Sequence, residues 1–122
     1  MEERDPLTER IIACCYKVHN ELGPGFKEKN YHNALKFALN DKDLKYETEK
    51  RFNVFYLNNK VGDLIVDLLV ENKVIVEVKA VTGNIPDVFK YQVISYLKAS
   101  KLKVGLLINF GNKSCQVMRL VN

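Results

Sequence analysis

A chain of 122 residues with 47% hydrophobic and 28% charged side chains is long enough to form one hydrophobic core and too short to form two. This composition gives no support for an intrinsically disordered chain. The net charge of +4, from lysines spread along the sequence, permits a nucleic-acid partner without requiring one. We therefore predict one domain covering residues 1–122.

Hydrophobic periodicity predicts eight elements in the order α-α-β-β-β-α-β-β. The predicted helices cover 7–22, 28–39 and 88–99, and the predicted strands cover 46–57, 61–70, 74–79, 104–109 and 115–121. Glycine and proline directly after Leu22 end the first helix. Asn58-Asn59-Lys60 is the expected turn between the first two strands. Asp87 is the expected N-cap of the third helix.

The cysteines and the N-terminus predict a cytoplasmic protein. Cys14 and Cys15 are adjacent and Cys115 is remote, so this odd set without a CxxC pair indicates reduced thiols. The N-terminal residues lack the apolar stretch of a signal peptide. No apolar run approaches the roughly 20 residues that span a membrane, so we expect no membrane association.

Asp67, Glu77 and Lys79 place charge in two strands whose other residues are mostly branched aliphatics. Buried charge is costly unless it is paired or bound to a metal. A three-residue turn after Val70 sets Val70 opposite Val74, and therefore Asp67 opposite Glu77 on one face of the sheet. The pattern predicts a magnesium and phosphate site, which a one-residue slip in register would remove. The alternative is a half-exposed sheet whose charges face water.

Two helices contribute further candidate residues. Gln92 and Tyr96 lie four residues apart and share one helical face, where they could bind a phosphate or orient Lys79. Alternatively, Tyr96 packs in the core while Gln92 is solvated. Glu28 lies near the start of its helix, where its charge complements the helix dipole. This structural role does not require Glu28 to take part in catalysis.

Other catalytic motifs are missing from the sequence. The segment 23–27 lacks the spacing of a phosphate-binding loop. His19 and His32 belong to no metal-binding cluster, and an isolated histidine is usually structural or exposed. The serines have no strand–turn–helix elbow, and no aromatic-rich RNA-binding signature is present.

The segment Gly25-Phe-Lys-Glu28-Lys-Asn-Tyr31 matches the motif that names the GxxExxY proteins, which are placed in the PD-(D/E)XK nuclease superfamily. The chain resembles these proteins from Leu7 to Gly111. The resemblance implies a restriction-endonuclease-like α/β fold, an α+β arrangement in which helices flank a central mixed sheet. It also implies metal-assisted hydrolysis of phosphodiester bonds.

Carried over to this chain, the catalytic residues implied by the resemblance are Asp67, Glu77, Lys79, Gln92 and Tyr96. The implied metal ligands are Glu28, Asp67, Glu77 and the backbone carbonyl of Val78. The expected cofactor is Mg²⁺, with Mn²⁺ as a substitute. Lys79 would position the attacking water or neutralise developing charge, while Gln92 and Tyr96 would fix Lys79 and the scissile phosphate.

The sequence departs from the family pattern at three positions. Ile65 stands where many relatives have arginine, Phe89 where many have histidine, and Val66 where the superfamily name has proline.

The expected partner is nucleic acid, with DNA favoured over RNA, and the sequence leaves open whether the chain forms a homodimer. The alternative function is a catalytically silent nuclease-like module that binds nucleic acid or a protein.

Overall fold

The computed structural model describes residues 5–122, in which the eight elements follow the predicted order. The helices are α1 (Pro6–Leu22), α2 (Glu28–Asp41) and α3 (Asp87–Ser100). The strands are β1 (Tyr46–Tyr56), β2 (Asn59–Val70), β3 (Val74–Lys79), β4 (Val104–Asn109) and β5 (Gln116–Val121). They form one sheet in chain order, antiparallel except for the parallel pair β3–β4. The mixed sheet of an α+β fold is therefore confirmed.

The helix ends follow local capping chemistry. The Asp5 side chain accepts a hydrogen bond from the Leu7 amide, so α1 begins at Pro6, one residue earlier than predicted. The prediction that Asp87 caps α3 was wrong. Pro86 occupies the N-cap position, and Asp87 is the first helical residue, where its charge complements the helix dipole.

Of the two turns that flank β2, one lies where the sequence placed it. Val70 pairs with Val74, so the turn at 71–73 between β2 and β3 is confirmed. The turn at 58–60 was wrong. Leu57 and Asn58, with φ of 50° and 63°, form a two-residue turn whose left-handed backbone suits the twist of a hairpin.

Two clusters of buried side chains hold helices to the sheet. The larger cluster lies under α1 and α2, where the Tyr31 ring stacks on Phe110 at 4.7 Å between centroids. The smaller cluster joins Tyr96 and Leu97 of α3 to the other face of the sheet. Complete burial of a large apolar side chain is worth about 1.5–3 kcal/mol, so these clusters dominate the stability. No helix within 5–122 is long and apolar enough to cross a membrane.

Asn109, at the end of β4, fixes the loop that follows β3. Its fully buried amide accepts from the Val81 amide and donates to the Val81 carbonyl, both at 2.9 Å. It also donates to Gln116 and accepts from the Gly111 amide. Gly111 lies so close to Val81 that a Cβ there would be 2.3 Å from the Val81 carbonyl oxygen. The backbone just after Lys79 is therefore held rigidly.

Candidate functional site

The candidate site lies where β2 and β3 part. Their ladder ends with the pair Leu68–Val76, so the predicted direct pairing of Asp67 with Glu77 is not formed. Instead, the Asp67 amide donates to Glu77 Oε1, and the Val78 amide donates to Asp67 Oδ2, both at 2.9 Å. Each carboxylate is therefore fixed by the backbone of the opposite strand and brought beside the other.

Strand β2 changes face at Asp67. Val66 packs in the α3 cluster and Leu68 in the α1–α2 cluster, although residues two apart share a face in a regular strand. On the other side, β1 and β2 pair around Glu49 and Asp67 but not at these residues, and Glu49 has φ of 50°. A left-handed non-glycine residue costs roughly 1–2 kcal/mol. Strand β1 thus accommodates the irregularity at Asp67.

Glu77 and Lys79 form a shielded ion pair. Glu77 is only 3% exposed, and burial, reinforced by the Asp67 carboxylate, raises the pKa of Glu77 to about 7. The Lys79 Nζ lies 3.8 Å from Glu77 Oε2 and 4.4 Å from the centre of the Phe89 ring. The lysine ammonium is therefore held between an anion and an aromatic face.

Helix α2 brings Glu28 to the same place. Burial and the Asp67 carboxylate raise the pKa of Glu28, while Lys79 and His32 lower it. The Glu28 carboxyl is therefore within electrostatic range of Asp67, Glu77 and Lys79. His32 follows one turn later, and its buried Nε2 has no hydrogen-bond partner within the described residues.

The two candidates on α3 have different surroundings. Tyr96 is buried, and burial followed by the Glu77 and Asp67 carboxylates raises the pKa of its hydroxyl, which places it near both acids. Gln92, one turn earlier, is exposed and forms no side-chain hydrogen bond with any residue in 5–122. Tyr96 is therefore buried within electrostatic range of the acids. Gln92 is left in solvent, as the alternative interpretation of that residue held.

Sequence reasoning missed two neighbours of the site. Phe89 was noted only as a departure from the family pattern, yet its ring faces Lys79. His32 was set aside as an isolated histidine, although it lies close enough to affect the pKa of Glu28. The helical spacing of four residues between Glu28 and His32 was the available signal for the second neighbour.

Asp67, Glu77 and the Val78 carbonyl are the candidate donors to a metal ion. The Val78 amide points toward β2, and its carbonyl does too, because both groups of a strand residue point the same way. Across 5–122, no three or more His, Cys, Asp or Glu side chains are arranged to hold a metal ion. Mg²⁺ usually binds through one or two carboxylates and keeps several waters. Asp67 and Glu77 therefore fit a magnesium ion whose remaining positions are largely water.

Comparisons with known proteins gave one finding. A family model described as the PD-(D/E)XK nuclease superfamily matches residues 5–120. Searches of curated proteins and of solved structures found no match. The matched range includes every residue of the candidate site, whereas the narrower resemblance to the GxxExxY proteins rests on the sequence motif alone.

Proposed function

The chain belongs to the PD-(D/E)XK nuclease superfamily, and on this basis we propose that it is a Mg²⁺-dependent nuclease that hydrolyses phosphodiester bonds of nucleic acid, preferentially DNA. The observation that carries the proposal is the reciprocal fixing of Asp67 and Glu77 where β2 and β3 part. Interrupting the backbone hydrogen bonds of a sheet at two acidic residues does not stabilise the sheet. A cation site, in contrast, requires both carboxylates close together.

Asp67, Glu77 and the Val78 carbonyl are the proposed protein ligands, with Mn²⁺ able to replace Mg²⁺. Glu28 would complete the site through a water, because no three acids within 5–122 are arranged to hold one ion directly. A divalent cation held there would supply a coordinated water of lowered pKa and positive charge to stabilise the phosphate in the transition state. Glu77 must be ionised to serve as a ligand, so cation and proton compete for its carboxylate.

The remaining side chains act on the water and the phosphate. Lys79 orients the attacking water or neutralises negative charge in the transition state, from a position fixed by Glu77 and Phe89. Tyr96, whose raised pKa keeps its hydroxyl protonated, donates a hydrogen bond to the phosphate or to an acid. Gln92 contacts the scissile phosphate from the solvent side.

Lys79→Ala is the decisive variant for this proposal. Labelled single- and double-stranded DNA and RNA are incubated with purified protein in Mg²⁺, Mn²⁺ or EDTA. We expect cleavage by the wild type only with a divalent cation, and a loss of roughly 100-fold or more in Lys79→Ala, the order of one transition-state contact. Lys73→Ala, which removes an exposed lysine from the β2–β3 turn, is the charge-matched control.

Two outcomes would contradict the nuclease. One is cleavage in EDTA, and the other is an unchanged rate in rigorously purified Lys79→Ala. Binding of nucleic acid that ignores divalent cations, without cleavage, would favour the silent binding module instead.

A further inference from the structure

The β1–β2 hairpin presents uncovered apolar side chains at its tip. Phe55 is 61% exposed, and its neighbours Tyr56 and Leu57 are exposed as well. Burial in the core does not explain these side chains, because they lie beyond both hydrophobic clusters. Adjacent exposed apolar side chains of this size indicate a binding surface.

A groove of about 650 Å³ separates this hairpin from the C-terminal half of α3. Its polar and aromatic lining consists of Asn53, Phe55, Asn58, Ser95, Lys98 and Lys101. The groove therefore combines an aromatic ring on one wall with two ammonium groups on the other. Its lining contains no acidic residue in the described part of the chain, so it suits an anionic ligand.

The lysines of the groove are available to such a ligand. Lys98 and Lys101 form no ion pair with a residue in 5–122, whereas Arg51 and Lys60 of the hairpin both pair with Asp63. Lysines at a helix C-terminus also complement its dipole. The dipole does not account for an uncovered phenylalanine ring across the groove from them.

The groove and the candidate site are both built on β2 and α3. Leu64 lines the groove and precedes Asp67 by three residues in β2, a distance of about 10 Å along a strand. On α3, Ser95 of the groove directly precedes Tyr96 of the site. A strand of nucleic acid that continues from the groove along β2 would therefore need to extend only about 10 Å to reach Asp67.

We propose that this groove holds a single-stranded segment of nucleic acid, with a base stacked on Phe55 and phosphates contacting Lys98 and Lys101. Aromatic platforms beside cationic side chains bind single strands, because every unpaired base has a free face. A duplex keeps its base faces inside its own stack, so it has nothing to place on the ring. This inference rests on the proposed function, because it takes the neighbouring site to be a nuclease site. It adds that the substrate is single-stranded.

The test measures binding of the wild type in EDTA, where no cleavage interferes. Fluorescence anisotropy with labelled single-stranded and duplex DNA of matched sequence gives the dissociation constants over a range of salt concentrations. The variants are Phe55→Ala and the double substitution Lys98→Ala/Lys101→Ala. The controls are Phe37→Ala, which removes a 76% exposed ring from α2, and Lys36→Ala/Lys113→Ala, which removes the same charge elsewhere.

We expect tighter binding of the single strand than of the duplex. Phe55→Ala should weaken single-strand binding by roughly 5- to 160-fold, the range for one base stack. The lysine double variant should lower the slope of log affinity against log salt by about 1.4, the value for two phosphates of a single strand. Both controls should stay within about 2-fold of the wild type, since they keep the groove intact.

Three results would overturn the inference: unchanged single-strand binding in Phe55→Ala, preference for the duplex, or a homodimer in sedimentation experiments that Phe55→Ala dissociates. The last result would assign the hairpin to a second copy of the chain. Failure of the proposed nuclease function can be distinguished from failure of this inference. A protein that never cleaves nucleic acid can still lose single-strand binding in Phe55→Ala.

Discussion

The amide of Asp67 and the carboxylate of Glu77 are hydrogen-bonded across the gap between β2 and β3, at 2.9 Å. The Val78 amide returns a bond of equal length to Asp67 Oδ2. Since backbone amides supply both bonds, no side-chain substitution elsewhere removes them. Each acid also keeps one carboxylate oxygen free of these two bonds. The position of the acids and their charge can therefore be tested separately by isosteric substitution.

Asp67→Asn keeps a side-chain oxygen that can accept the Val78 amide, but it removes the negative charge. We expect the melting temperature to stay within a few degrees of the wild type, and Mg²⁺-dependent cleavage to fall by roughly 100-fold or more. Calorimetry and the cleavage assay measure the two effects. Asp63→Asn, a change in the same strand at an ion-paired surface residue, is the control and should leave cleavage unchanged.

The pKa of Glu77 predicts how stability depends on pH. Because burial raises this pKa from its ordinary value of 4.5 to about 7, the folded chain retains a proton that the unfolded chain releases. The stabilisation of the folded chain by protonated Glu77 is therefore fully present below pH 4.5. It is lost as the pH rises toward 7. The complete change corresponds to roughly 3 kcal/mol in the free energy of unfolding.

Urea unfolding at pH 5 and pH 8 in EDTA measures this contribution. We expect wild type to lose about 2 kcal/mol more than Glu77→Gln between the two values, since the amide does not ionise. The raised pKa of Glu28 acts in the same direction but is present in both proteins. Equal losses would show that Glu77 does not retain the proton. Added Mg²⁺ at pH 8 should restore stability to the wild type alone.

Phe89 gives a prediction about Lys79. Phe89→Leu keeps an apolar side chain and removes the ring face 4.4 Å from the Lys79 ammonium. A contact of this kind contributes about 0.5–2 kcal/mol, so the single-turnover cleavage rate should fall by roughly 2- to 30-fold. Mg²⁺ affinity should not change, because the ring contacts the lysine rather than the proposed ligands. Tyr91→Leu, at an exposed ring on the same helix, is the control, and weaker Mg²⁺ binding in Phe89→Leu would contradict the prediction.

Local sequence signals predicted those parts of the fold that depend on local chemistry. The Val70–Val74 pairing followed from the polar residues between two aliphatic runs, and this register placed Asp67 near Glu77. The Leu57–Asn58 turn was misplaced by one position because three polar residues, Asn58 to Lys60, all resemble turn residues. A turn with leucine in a left-handed conformation has no such signal.

The geometry of the site depends on contacts that periodicity does not describe. Strand rules assume regular alternation, and β2 breaks it at Asp67, where side chains replace the ladder. The ring of Phe89 reaches Lys79 only after α3 packs on the sheet. The sequence therefore predicted which charged residues of β2 and β3 lie close together, but not how the backbone holds them.

Asn109 offers a test of how rigidly the end of β3 must be held. Asn109→Leu keeps the branched shape of the side chain but removes four hydrogen bonds, leaving the Val81 amide and carbonyl without their partner. Unpaired buried groups cost about 1–3 kcal/mol each, so urea unfolding should show a loss of roughly 3 kcal/mol. Val81 lies two residues after Lys79, so cleavage should fall even at temperatures where the variant is fully folded. Asn20→Leu, at an exposed position on α1, is the control and should change neither the free energy of unfolding nor the cleavage rate. Normal cleavage by folded Asn109→Leu would show that Lys79 does not depend on this loop.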